Sequence, residues 1–164
     1  MKKIMLIVLI VASPAMAKPP GKTQADFAQK QAADSALSML DYKDAATTIL
    51  DNQTKRQGAA FATFLQVKAN MSPGDLGACE AAFEKLSQQF SLASGYLGLA
   101  ETLSQSTHID TATTAYLASD WGTAVSEYQA ASADYDNAAT NYNNAAGSVN
   151  IDYFQLIETI LLGY

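Results

Sequence analysis

The 164-residue chain contains one cysteine, Cys79, and one histidine, His108. A lone thiol excludes an intrachain disulfide, and a lone histidine leaves HExxH zinc sites and histidine-activated nucleophiles almost no material. Cys79 lies far from the start of the chain, which argues against a lipid-anchored N-terminus. Lysine and arginine are absent from Leu86 to Tyr164, where eight acidic residues fall, whereas Lys18 to Lys85 holds eight of each sign. The second half therefore cannot neutralise phosphates, which argues against nucleic acid or an anionic membrane surface as a partner. Phosphate-cradling GxxxxGK[ST] and GxGxxG runs are missing. Long apolar runs are missing as well: the stretch Ile4 to Val11 is shorter than the roughly 20 residues of a bilayer-crossing helix.

What is present begins with MKKIMLIVLIVASPAMA. Two lysines, an apolar run and Ala15-Met16-Ala17 before Lys18 form the layout of a cleavable secretory signal. Residues 1–17 are expected to be removed and the mature chain to be periplasmic or secreted, with no integral membrane span. Without Lys2 and Lys3, eight basic residues remain against sixteen acidic, a formal charge of −8. The rest, residues 18–164, suits one domain large enough to bury a core without staples. KPPGK, residues 18–22, is a flexible lead-in.

Helical periodicity runs through that domain. Thr23 or Asp26 starts a first helix, and Phe27, Leu37, Leu40, Ala45, Ile49 and Leu50 form a loose apolar stripe. DNQTKRQG, residues 51–58, has no apolar residue and is either a break or an exposed part of a longer helix, before Ala60, Phe61, Phe64, Val67 and Met71 resume the pattern. Ser72-Pro73-Gly74-Asp75 is a helix start, with a capping hydroxyl, a proline at the first position and a carboxylate near the orphan amides. Leu76, Cys79, Phe83, Leu86, Phe90, Ala93, Leu97 and Ala100 then alternate spacings of three and four, a heptad seam. The polar run SQSTHID, residues 104–110, ends this helix and offers Asp110 as the next cap.

The following stretch reads WGTAVSE, YQAASAD, YDNAATN, YNNAAGS. Trp121, Tyr128, Tyr135 and Tyr142 occupy one heptad position; Leu117, Ala124, Ala131, Ala138 and Ala145 occupy another. A fold-back about Thr107 would set Phe90 against Ala124, Phe83 against Ala131, Leu76 against Ala138, Ala93 against Trp121 and Cys79 against Tyr135. Large would meet small in each layer, which is how helices reach native packing density. Asp120-Trp121-x-x-Ala124-Val125-x-x-Tyr128-x-x-Ala131 also resembles the second helix of a tetratricopeptide unit, and the signature recurs from Asp134 to Ala145. These copies stand 14 residues apart, where that family repeats every 34, and the resemblance implies no binding residues here.

Candidate chemistry is sparse. Glu80 and Glu84 stand one turn apart, as an acid–base pair would, but two carboxylates beside Lys85 describe a solvated face equally well. Asp134-Tyr135-Asp136-Asn137 opens like a calcium loop yet lacks the glycine at the sixth place and the glutamate at the twelfth. Asn52-Gln53-Thr54 and Asn70-Met71-Ser72 match the glycosylation triplet, a pattern too short to carry weight. Cys79 sits between Leu76 and Phe83, where burial makes a thiol inert, and His108 is expected in an exposed turn. No catalytic residue, metal ligand or cofactor is assigned.

Asn150 caps a last segment, IDYFQLIETILLGY, apolar on nearly every side. It either docks across the open side of the bundle or forms an association surface, with Tyr153, Phe154, Ile157, Ile160, Leu161 and Tyr164 as the candidate interaction residues. The reading is all-α: an elongated antiparallel bundle of three to four long helices with heptad seams and a short apolar C-terminal helix. The expected function is non-enzymatic, through a protein partner or structural self-association in the bacterial envelope. The alternative is a periplasmic bundle holding a small apolar or aromatic ligand between helices, lined by the tyrosines.

Overall fold

The computed structural model describes residues 19–164; the expected signal sequence, with Lys18, lies outside them. Helices begin and end where the local chemistry satisfies orphan backbone groups. α1 spans Lys22–Val67, and the Gln24 side chain accepts from the Gly21 N–H. Residues 51–58 do not interrupt α1. No proline stands there, Thr54 hydrogen-bonds back to the Leu50 carbonyl, and Lys55 pairs with Asp51 one turn away. A single 3-10 turn, Lys68–Asn70, leads to α2, Pro73–Ser104, whose cap Ser72 accepts from the Asp75 N–H at 3.1 Å.

The next two starts differ from expectation. α3 spans His108–Leu117 with Thr107 as its N-cap residue, so Asp110 lies inside the first turn. The helix also does not continue from residue 111 to 147. It stops at Ala118–Asp120, where Ser119 adopts a left-handed φ of 61°. The Asp120 N–H reaches the Ala115 carbonyl and the Ser119 N–H reaches that of Tyr116. This is the Schellman ending that satisfies the last carbonyls, made without its usual glycine. Asp120 then caps α4, Trp121–Gly147, by accepting from the Thr123 N–H, and Asn150 caps α5, Ile151–Leu161.

These pieces form three columns, the middle one in sequence running opposite to the other two. α1 runs the whole length, about 70 Å. α2 and α3 together return alongside it, and α4 and α5 together run parallel to α1. Contacts between α1 and α2 or α3 centre on the Met71–Ser72 turn: Lys43 meets Glu101, Phe61 meets Phe83, and Asp26 meets Tyr116. Contacts of α2 with the third column centre on Ser119–Asp120: Ser106 meets Asp134, Glu101 meets Tyr142, and Gln89 meets Asn150. α1 meets that column at offsets of 97 to 102 residues, with Gln29 beside Tyr128, Ser35 beside Ser132 and Arg56 beside Glu158, so the two run parallel. The fold-back is therefore at Ser119, not Thr107. SQSTHID is a kink within the returning column, and the expected pairs, such as Phe90 with Ala124, do not form.

The Tyr/Ala beat does form a packing seam, with a different partner. At the Lys22 end, Ala124, Tyr128 and Ala131 share a core with Ala25, Ala28 and Ala32 of α1 and Ala112 and Ala115 of α3. In the middle, Ala138, Ala139 and Tyr142 meet Met39, Ala46 and Ala100. At the far end, Phe64, Leu86, Phe154, Ile157 and Leu161 build a larger apolar core. The stripe expected on α1 is thus corrected: of Phe27, Leu37, Leu40, Ala45, Ile49 and Leu50, only Leu50 is buried. Alanines face α4 because small side chains let two helices approach closely, the separation being set by the side chains at the contact. The larger residues are left outside. Among the described residues 88 % are helical, and no helix is long and apolar enough to cross a membrane.

Two stability measurements test this packing. Ala131→Phe, at a fully buried site, should lower stability by about 1 to 3 kcal/mol through overpacking, while phenylalanine at the exposed Ala133 changes it by less than about 0.5 kcal/mol. Equal thermal melts would refute the seam. Ser119→Gly should raise stability by roughly 1 kcal/mol, because glycine adopts the left-handed conformation without the Cβ penalty; an unchanged or lowered melting temperature contradicts the assigned turn.

Candidate interaction surface

The C-terminal helix answers its own either-or. Phe154 and Ile157 are fully buried, Leu161 nearly so, and Tyr153 and Ile160 are half-buried against the same core. α5 therefore docks across the bundle, and these five residues are mainly core, not surface. Its apolar stripe faces Leu50, Phe64 and Leu86, which already offer a matching apolar wall. Tyr164 is partly exposed, yet its hydroxyl is committed. It accepts from the Ser72 N–H at 2.8 Å and donates to Asp75 Oδ2 at 2.6 Å, clasping the start of α2. The Tyr164 and Ser72 hydroxyls together hold the Asp75 carboxyl below its ordinary range.

Arg56 fixes the other edge of α5. Its Nε and Nη2 donate to the two carboxylate oxygens of Glu158, both at 2.6 Å, and its guanidinium lies 5.0 Å from the centre of the Phe154 ring. Beside this pair Ala59, Ala60, Thr63, Leu161 and Leu162 line an open groove of about 460 Å³. No carboxylate other than Glu158 faces it, so it offers an apolar wall and no acid–base pair.

The remaining ionisable groups act as ties between columns. Lys43 and Tyr142 both donate to Glu101 Oε2, at 3.0 and 2.9 Å, joining α1, α2 and α4 at one level. Lys43 chiefly, then Tyr142, lowers the Glu101 pKa, while burial and then Glu101 raise that of Tyr142. At the Lys22 end, Tyr116 and Lys22 both bond Asp26, whose pKa is lowered by Tyr116 first and Lys22 second. Glu80 and Glu84 are exposed and meet no other carboxylate; the Gln88 amide donates to Glu84. Cys79 is fully buried, and desolvation raises its thiol pKa. Among the described residues no three His, Cys, Asp or Glu side chains stand together as a metal site. Gln53 Oε1 is the buried side-chain atom without a hydrogen bond there.

His108 departs from the exposed turn residue expected of it. It opens α3, half-buried, with Nδ1 2.6 Å from Glu127 Oε2 of α4. The positive end of its own helix would disfavour a cation; Glu127, assisted by Asp134, outweighs this and raises the imidazole pKa.

What the structure leaves exposed is a set of large apolar side chains that sequence periodicity had assigned inward or left unassigned. Phe27 is 70 % exposed and Leu37 63 %, with Leu40, Ile49, Phe61 and Leu65 also outward on α1. Leu92 and Leu99 do the same on α2, and Ile151, Leu156 and Leu162 around α5. The signal that would have found them is the regular alanine spacing of α1, which marks the face that must hide. Comparison with protein-family models, curated proteins and solved structures finds no match to this chain.

The His108 pair has a measurable consequence. A raised folded-state pKa means that its stabilisation is fully present below about pH 6.5, the unfolded value, and is lost as pH rises through the folded value. An NMR titration should place the His108 midpoint above that of a free histidine, and Glu127→Gln should bring it down. A midpoint at or below the free value excludes the pair.

Proposed function

We propose that the chain is a non-enzymatic, exported helical protein that works by association, with a protein partner or with copies of itself, in the bacterial envelope. The observation that carries this reading is an inversion. α1 buries alanines while Phe27 and Leu37 stand mostly in solvent and Leu40 and Ile49 are partly exposed. Large apolar groups kept in water at that cost mark contact surfaces. The leader-like first seventeen residues support export, and the lack of lysine and arginine from Leu86 onward speaks against nucleic acid as the partner.

Enzyme chemistry has little to draw on, because the ionisable groups in contact with one another serve as ties between or within helices. The ligand-binding alternative is disfavoured by the seam itself: Tyr128 and Tyr142 are buried against alanine, and the groove beside Arg56 and Glu158 is lined by none of the four rings Trp121, Tyr128, Tyr135 and Tyr142.

Sedimentation velocity across the micromolar range, together with chemical cross-linking in intact envelopes, tests the reading. A concentration-dependent increase in size or a discrete cross-linked species is the expected result. A chain that stays monomeric at all concentrations and forms no cross-link in the envelope refutes it.

A further inference from the structure

α3 is set off from the long helices by a joint at each end. Before it, Gln105 leaves helical geometry at φ −97° and ψ 40°; after it, Ser119 takes the left-handed φ of 61°. A helix of 10 residues does not hold by itself in water, where even roughly 12 to 15 are marginal, so α3 depends on its contacts. It buries two alanines, Ala112 and Ala115, whereas α5, one residue longer, buries Phe154, Ile157 and Leu161. Apolar stabilisation follows the area removed from water, and Ile109 and Tyr116 add only partly buried groups to the alanines. The core therefore holds α3 less firmly than it holds α5.

Polar ties make up the difference. Ser106 donates to Asp134 Oδ2 at 2.7 Å, His108 Nδ1 lies 2.6 Å from Glu127 Oε2, and Tyr116 donates to Asp26. Of these three, the His108 pair is the one that changes charge near neutral pH. The charges acting on His108 come from α4, Glu127 in contact and Asp134 beyond it. Asp110 on its own helix neighbours Tyr135, whose pKa is raised by burial first and by Asp134 and Asp110 after it. α1 brings Lys22 and Asp26 to Tyr116 at the opposite end of α3, and near its end α2 carries Glu101, already bound by Lys43 and Tyr142.

We infer that α3 opens and closes independently of α1, α2 and α4, with the His108–Glu127 pair as the latch that sets how often it opens. The inference stands apart from the question of association. Opening uncovers the cluster that Ala112 and Ala115 share with Ala124, Tyr128 and Ala131. The direction of the pH dependence follows from the charges. A protonated imidazole meets one carboxylate directly and a second nearby, which outweighs the positive end of α3 where it stands, so the closed form binds the proton more tightly than the open one. The latch is thus at full strength below about pH 6.5 and weakens as pH rises through the higher closed-state value. Above that value the neutral ring still hydrogen-bonds Glu127, without the charge that strengthens such bonds. Alkaline pH loosens the latch and does not remove it.

Amide hydrogen exchange of the purified chain, resolved by NMR at about pH 5.5 and about pH 8 on either side of the histidine range, tests this once each rate is divided by its unfolded-peptide value. Amides of residues 112–117 should be less protected than those of residues 39–50, and low urea should change their protection little while lowering that of 39–50 steeply, the mark of a local opening. Their protection should fall at least about threefold from acid to alkaline pH. Glu127→Gln should lower it in acid and leave it nearly unchanged in alkali, and His108→Gln, which cannot take up the charge, should show the low value at both. If residues 112–117 share the urea slope of 39–50, α3 opens only with the whole bundle; if the fall with pH persists undiminished in Glu127→Gln, another group sets it. Either result overturns the inference.

Discussion

The constraint on which the rest depends is the close parallel contact between α1 and α4. Alanine faces alanine at the Lys22 end and near the middle, and the half-buried Ser35–Ser132 hydrogen bond joins the two helices between these zones. Small side chains set a small separation, and a small separation leaves no room for leucine or phenylalanine. Those residues go either to the far end, where Phe64, Phe83, Leu86 and Phe154 build the larger apolar core, or outward into water. Core composition and surface composition are two results of one choice of side-chain size.

Size alone does not fix how the columns align, because a heptad slip returns alanine to alanine and ring to gap. The tyrosine hydroxyls remove that degeneracy. Tyr128 receives Gln29, Tyr142 reaches Glu101, Tyr116 reaches Asp26 and Tyr164 reaches Asp75. A slip of seven residues would keep the rings packed and strand phenols without partners, which in a low-dielectric seam is costly. Each ring supplies apolar area and its oxygen supplies the address. The individual ties are weak where exposed; their value is that all are satisfied in only one alignment.

This explains which parts of the fold were legible. Ser72-Pro73-Asp75 and Asn150 mark helix starts by local hydrogen-bond chemistry, and both were readable. The Tyr/Ala repeat announces a seam, and it is one. Its partner was not readable from volumes, since α2 and α1 each offer complementary faces and only the phenol partners distinguish them. The fold-back was hidden for a related reason. Leu117 to Asp120 contains neither glycine nor proline and turns by placing a serine in the left-handed region, whereas the polar run SQSTHID looks like a turn and is a kink. On α1 the search for large apolar residues pointed to the outer surface, because the buried stripe is marked by regularity and not by hydrophobicity. For the C-terminal helix the apolar residues allow either docking or an association surface, and the wall of Leu50, Phe64 and Leu86 decides for docking.

The charge pattern adds the last constraint. Beyond Leu86 the chain carries no lysine or arginine, and the second and third columns meet electrostatically through His108 with Glu127. Each is also tied to α1, through Lys43 with Glu101 and Arg56 with Glu158. Where α2 and α4 must lie against each other without such help, charge is absent from both. The lysine and arginine ties between columns thus come from α1, and Asp110, Asp120, Asp136 and Asp152 face solvent. Among the described residues the ionisable groups that touch one another across columns therefore serve to align them.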